Sequence, residues 1–230
     1  RMRITYLKHS GYVVEEKDIV LIFDYYKGYL PPITEEKKIY VFASHVHYDH
    51  FKKEIFQWAD RYKNIQYILS DDIMAEGPDG KTIYIGPRQE IQVDELQIRT
   101  LRSTDEGVAF FVRFHDKVIY HAGDLNWWHW EEESEAYNLM MKRMFQNEIG
   151  RIEGEKIDVA FVPLDPRQGE QYYWGFDYFM KHTDTRCVFP MHMWEDYDIY
   201  ERLMENPAAE EYKNRVMHVI RPQQVFERSM

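Results

Sequence analysis

The chain has 230 residues, 44% hydrophobic and 16% aromatic, enough for one large domain or two small ones with a real core. A formal net charge of -11 argues against the basic face that nucleic-acid binding needs and disfavours attachment to anionic membranes. Cys187 is the single cysteine, so an internal disulfide is excluded; with no signal peptide or apolar run of about 18 residues read, a soluble cytoplasmic protein is expected.

Arg1 ahead of Met2 reads as an added residue, and residues 2–230 are expected to form a single domain. Short β-branched and aromatic runs at 2–6, 12–16 and 19–23 predict three strands, punctuated by Ser10-Gly11 and Lys17-Asp18. A fourth, 38–43, runs directly into Ser44-His45-Val46-His47-Tyr48-Asp49-His50. A helix is expected to open at Asp49 or His50, because Ile55, Phe56, Ala59 and Tyr62 recur at helical spacing. Residues 65–69 form a buried strand, and 82–123 are almost all strand, turning at Gly86-Pro87, Asp94-Glu95 and His115-Asp116. The charged stretch 126–150 is mostly helical. Strands at 158–164 and 186–191 flank a helix at 176–182; a helix at 197–205 and a short strand near 217–220 follow. Strands first, then strands mixed with helices, predict an α/β sandwich of two β-rich halves facing each other with helices outside.

The segment from His45 to His50 has the pattern H-x-H-x-D-H. Neutral imidazole suits zinc and iron, and carboxylate extends the range toward manganese. One loop therefore offers up to four ligands: His45, His47, Asp49 and His50. Three later residues have matching chemistry at strand ends, where loops can converge. Asp124 sits in Tyr120-His121-Ala122-Gly123-Asp124, directly after an apolar strand. His192 ends Val188-Phe189-Pro190-Met191-His192. Asp105 precedes the strand 108–114. A carboxylate such as Asp124 can bridge two metals about 3.5–4 Å apart.

This order of motifs resembles the metallo-β-lactamase superfamily over essentially the whole chain. His9-Ser10-Gly11, Leu21-Ile22-Phe23-Asp24, the run from Ile157 to Leu164 and Pro190-Met191-His192 resemble the branch containing L-ascorbate-6-phosphate lactonase. The resemblance implies a four-layer αβ/βα sandwich of two mixed sheets. It also implies that His45 and His47 bind a first metal, that Asp49, His50 and His192 bind a second, and that Asp124 bridges them. The family usually has a histidine just before the strand preceding Gly-Asp, whereas here Arg102-Ser103-Thr104-Asp105-Glu106-Gly107 has none. Asp105 is the expected substitute, with Glu106 or Thr104 as fallbacks, and its oxygen would favour Mn or Fe over Zn.

Asp24 reads as a strand-closing residue, with orienting a ligand as the alternative. His9 and His121 read as hydrogen-bonded histidines, and Cys187 as a small buried hydrophobe. Trp127 and Trp128, Tyr173, and Trp194 hang from loops beside predicted ligands. They divide evenly between helix packing and a pocket wall for a flat or sugar-like substrate. Arg167 is a candidate reader of phosphate or carboxylate and Tyr48 a candidate donor to substrate, each with a plain surface role as its alternative.

Together these residues predict a metal-dependent hydrolase holding one or two divalent metals (Zn, Mn or Fe). A metal-bound hydroxide, positioned by Asp49, would attack a carbonyl or phosphoryl centre of a small anionic lactone or phosphoester. The alternatives are a phosphodiesterase or nuclease of the same superfamily, or a non-catalytic metal sensor. A small-molecule partner is expected, with no nucleic acid and no membrane, and a homo-oligomer remains open.

Overall fold

The structure is a computed structural model describing residues 1–230, and the chain divides into two compact units: residues 1–86 with 220–230, and residues 87–219. In the first, six strands lie side by side in chain order: β1 (Met2–Lys8), β2 (Gly11–Glu16), β3 (Ile19–Phe23), β4 (Lys38–Ala43), β5 (Ile65–Ser70) and β6 (Thr82–Ile85). Pairing is antiparallel from β1 to β3 and parallel from β3 to β6. Every residue of β3 is buried, as expected for a strand covered on both faces. A core of Val20, Ile22, Val41 and Leu69 packs beside it, and Phe23 stacks on Phe42 with centroids 4.7 Å apart. The short helix α1 (Trp58–Arg61) precedes β5.

The second unit has a six-stranded sheet. Its strands β7 (Glu90–Val93), β8 (Leu96–Arg102), β9 (Val108–Phe114) and β10 (Lys117–His121) form an antiparallel meander. After α2 (Glu135–Gly150) come β11 (Lys156–Ile157) and β12 (Val159–Pro163); α3 (Trp174–His182) and β13 (Asp184–Thr185) follow, then β14 (Val188–Met191). β12 and β14 extend the sheet in parallel from β10, while β11 and β13 pair separately. Helix α4 (Ile199–Glu205) lies beyond β14. No helix is long and apolar enough to cross a membrane.

Three elements differ from the sequence reading. The helix expected at Asp49 or His50 starts later: the His50 and Phe51 N–H groups both donate to the His47 carbonyl, so this backbone closes the histidine loop, and a 3₁₀ turn begins only at Lys53. The helix expected from 126 begins at Glu135. Residues 126–133 are pinned by side chains instead, with Asn126 N–H on Thr104 Oγ1 (3.0 Å) and Asn138 bracketing both Trp130 N–H and C=O. Ser134 supplies the true N-cap, its Oγ accepting from Tyr137 N–H at 3.1 Å. Residues 217–220 make no strand: Met217 N–H donates once to Val188 C=O, and Ile220 N–H is taken by Gln224 Oε1. The last strand is Val225–Arg228, antiparallel on the outer edge of β1, where Glu227 meets Arg3 at 2.7 Å.

Phe42, fully buried in the strand that feeds the histidine loop, makes a direct check on this packing. Phe42→Ala is expected to cost about 3–5 kcal/mol in urea unfolding. Glu227→Ala, on the exposed edge, is expected to leave the midpoint within scatter.

Candidate metal centre

The first unit gathers donors where two parallel strands end. Asp24 follows β3 and Ser44 follows β4, and the β3–β4 register sets them side by side, with Asp24 N–H on Phe42 C=O. The buried Asp24 carboxylate accepts from Ser44 N–H at 2.7 Å, from Ser44 Oγ at 2.6 Å and from His50 Nδ1 at 2.7 Å. Ser44 Oγ also meets His45 Nδ1 at 2.9 Å. Ligand atoms of Asp24, His45 and His50 lie within 4.8 Å of one another, and the His47 ring packs edge-on against His45 at 4.7 Å.

Asp49 lies 3.4 Å from His50 Nε2 and 3.0 Å from His9 Nε2. Burial pushes the Asp49 carboxyl up, but the hydrogen bonds and charges of His50 and His9 outweigh it and hold the group well below the usual carboxylate range. It is ionised, as a ligand or proton acceptor must be. Tyr48 is exposed, packing its ring beside Tyr26 at 5.8 Å.

The second unit has the same device. Asp124 leaves β10 through Gly123, whose φ of 56° suits glycine, and His192 leaves β14 in the left-handed region at 62°. His192 Nε2 faces Asp124 Oδ1 at 3.1 Å, while its Nδ1 meets the fully buried Asp165 at 2.8 Å. Asp165 also accepts from Arg167 Nη2 (2.7 Å) and Trp194 Nε1 (3.2 Å). Burial raises its carboxyl pKa, yet His192 and Arg167 together bring it below the ordinary value. Thr104 Oγ1 and Trp128 Nε1 both bond the backbone around Asp124, at Asn126 C=O (2.6 Å) and Asp124 C=O (2.9 Å).

Within this unit a cavity of about 230 Å³ is lined by Asp105, Asp124, His192, Arg167, Trp128 and Trp130, among others. Asp105 thus opens onto the space that Asp124 and His192 border; it is exposed, its N–H resting on Ser103 Oγ. Arg167 stacks over Trp194 at 4.7 Å and over Trp130 at 5.5 Å. Trp127 and Tyr173 are elsewhere. Trp127 packs on Trp174, and Tyr173 borders a separate groove with Arg202.

The donor chemistry fits a divalent transition metal. An Asp that accepts from Nδ1 fixes the proton there and presents Nε2 as the basic nitrogen, the arrangement found behind metal-bound histidines. His50 and His192 both have it, each beside a second carboxylate. The sequence reading did not single out Asp165 or Ser44 as supports, nor His9 as a partner of Asp49. The signal for Asp165 was its position two residues beyond β12, comparable to that of Asp24 directly after β3. Non-glycine residues in the left-handed region occur in each unit beside these donors, His9 and Asp24 in the first and His192, Trp194 and Glu195 in the second. Such strain persists where surrounding structure over-determines it, commonly at functional sites.

Residues 3–140 match the beta-lactamase superfamily domain. A metal-dependent hydrolase of Nanoarchaeum equitans is 28% identical over 207 residues, covering 83% of each chain. Among solved structures, the metallo hydrolase Igni18 from Ignicoccus hospitalis covers 99% of both chains with a TM-score of 0.65 at 17% identity. YhfI of Bacillus subtilis, a metallo-beta-lactamase fold protein, covers 98% of both at 0.65 and 15%. These likenesses show the metallo-β-lactamase fold that the sequence led us to expect.

Removing the charge behind a histidine tests these supports. Asp24→Asn and Asp165→Asn are each expected to weaken metal retention about 10–100-fold in chelator competition while leaving the circular dichroism spectrum intact. Equal retention by both variants and the parent would show the two carboxylates to be structural only. Gly175→Ala tests the brace on the aromatic loop, because a Cβ there meets Asn126 Oδ1 and the Trp127 nitrogen (2.9 Å). A lowered melting temperature is expected.

Proposed function

The chain belongs to the beta-lactamase superfamily and is a metal-dependent hydrolase, and on that premise we propose that it cleaves a small anionic lactone or phosphoester. The observation that carries the reading is the pair of buried carboxylate–imidazole supports, Asp24 to His50 and Asp165 to His192. We assign the donors His45, His47, Asp49 and His50 of the first unit, and Asp105, Asp124 and His192 of the second, to metal binding in a single catalytic domain of residues 2–230. When bound, one or two divalent ions (Zn, Mn or Fe) supply a water of lowered pKa and polarise the oxygen under attack.

The chain's own groups do the rest. Asp49, ionised and steered by His9 and His50, holds the attacking water and takes its proton. Asp24 and Asp165 hold the Nδ1 side of His50 and His192 and so orient the rings with Nε2 facing the site. Arg167, gripped by Asp165 and stacked on Trp194, presents its guanidinium at the mouth of the cavity, where a substrate carboxylate or phosphate pairs with it. Trp128 and Trp130, stacked 8° from parallel, form the apolar wall. The net charge of -11 supports a small-molecule substrate over a nucleic acid, and the lone buried Cys187 is compatible with the cytoplasm.

A panel of phosphorylated and plain lactones, phosphomonoesters and phosphodiesters, run with metal analysis, tests the proposal. Asp49→Asn is expected to lower kcat about 10²–10⁴-fold with the fold retained. Arg167→Gln is expected to raise KM for anionic substrates about tenfold and to spare neutral analogues. Turnover confined to nucleic acids, or none on any ester with full metal occupancy, would overturn the reading. At the departure from the family pattern, Asp105→Ala is expected to lower metal stoichiometry and Asp105→His to raise zinc content. An Asp105→Ala protein that binds metal as the parent does would reduce Asp105 to a turn residue.

A further inference from the structure

The strip Trp127–Trp130 is extended enough that alternate residues face different spaces. Trp128 and Trp130 line the cavity of Asp124 and His192, whereas Trp127 and His129 face a second cavity of about 600 Å³ in the same unit. Trp174, at the start of α3, lines that open space as well, its ring 5.0 Å from Trp127 and 4.9 Å from His129. Three exposed carboxylates, Glu131, Glu133 and Glu135, stand on its rim, and no arginine lines it. The Lys142 ammonium lies 5.6 Å from the Trp127 ring centre.

We infer that this second cavity binds an organic ammonium ion, held on the Trp127 face that Lys142 covers and by the acidic rim, with Trp174 packed behind Trp127. The face of an indole carries negative charge from its quadrupole and is the best aromatic partner for a cation. Lys142 already uses that face, so the ring geometry suits an ammonium and Lys142 is the ligand's internal competitor. Hard inorganic cations require a full shell of oxygen ligands, so they can draw only on the rim carboxylates and gain nothing from the indole faces. Anions are repelled by the rim. The two sides of one four-residue strip therefore differ in charge preference: Arg167 lies on the side of Trp130, and the glutamates on the side of Trp127.

The ammonium can come from a free polyamine or from a lysine side chain, so the full-length protein is titrated calorimetrically with spermidine and, separately, with a tri-lysine peptide. Magnesium at matched charge and ionic strength is the control. Saturable binding by at least one organic cation is expected, and the tighter of the two identifies the source. Lys142→Gln should tighten that binding and Trp174→Leu weaken it, each about tenfold. Magnesium binding with equal affinity would show a general acidic surface and overturn the inference. So would an unchanged affinity in Lys142→Gln, or no saturable binding in either the parent or that variant. Lys142→Gln alters only an exposed side chain, so its result stands even if Trp174→Leu fails to fold.

Discussion

Two carboxylates removed from solvent at the ends of sheet strands set the chemistry of each unit. A bare carboxylate in such a place costs several kcal/mol, and the group survives ionised only when donors surround it. Asp24 collects a backbone N–H, a hydroxyl and an imidazole, and Asp165 collects an imidazole, an indole and a guanidinium. The donors that make burial tolerable are also the groups whose orientation matters. Removing the carboxylate would release them all, so stability and ligand geometry are bound into one set of contacts.

The backbone strain around these carboxylates has the same origin. Asp24 and His192 both occupy the left-handed region, which a non-glycine residue adopts only at a cost. Both sit one residue past a fully buried strand, where the chain must turn sharply yet still aim its side chain at a fixed point. Packing beneath them, Phe23 on Phe42 in one unit and Phe161 on Phe189 in the other, holds the strand ends rigid enough to sustain that conformation.

Local pattern explains what was legible from the sequence. The strands were readable because their apolar runs are continuous, as burial on both faces demands, and the spacing of His45, His47, Asp49 and His50 carried its own chemistry. Elements set by distant side chains were not readable. The delayed start of α2 depends on Thr104 and Asn138 holding residues 126 and 130, and within 126–134 only the cap residue Ser134 announces it. The supporting role of Asp165 requires knowing that β12 and β14 are neighbours. The exposed strand Val225–Arg228 lacks a hydrophobic signature and is defined by pairing with β1 across the length of the chain. Of the aromatic residues hung near the ligands, Trp128 and Arg167's partner Trp194 lie by His192, whereas Trp127 and Tyr173 do not. Sequence proximity could not separate them, since neighbours in an extended strip point opposite ways.

That terminal pairing has a consequence for biosynthesis. The outer edge of β1 is made more than 200 residues ahead of its complement, residues 225–228. At about 5–20 residues per second, the backbone groups of that edge wait on the order of ten seconds or more without their mate. During that interval the nascent sheet offers an unclaimed template to any extended segment nearby, including another nascent copy on the same polysome. The charge pair in register across this seam, Arg3 opposite Glu227, then favours the proper segment over an uncharged or like-charged one.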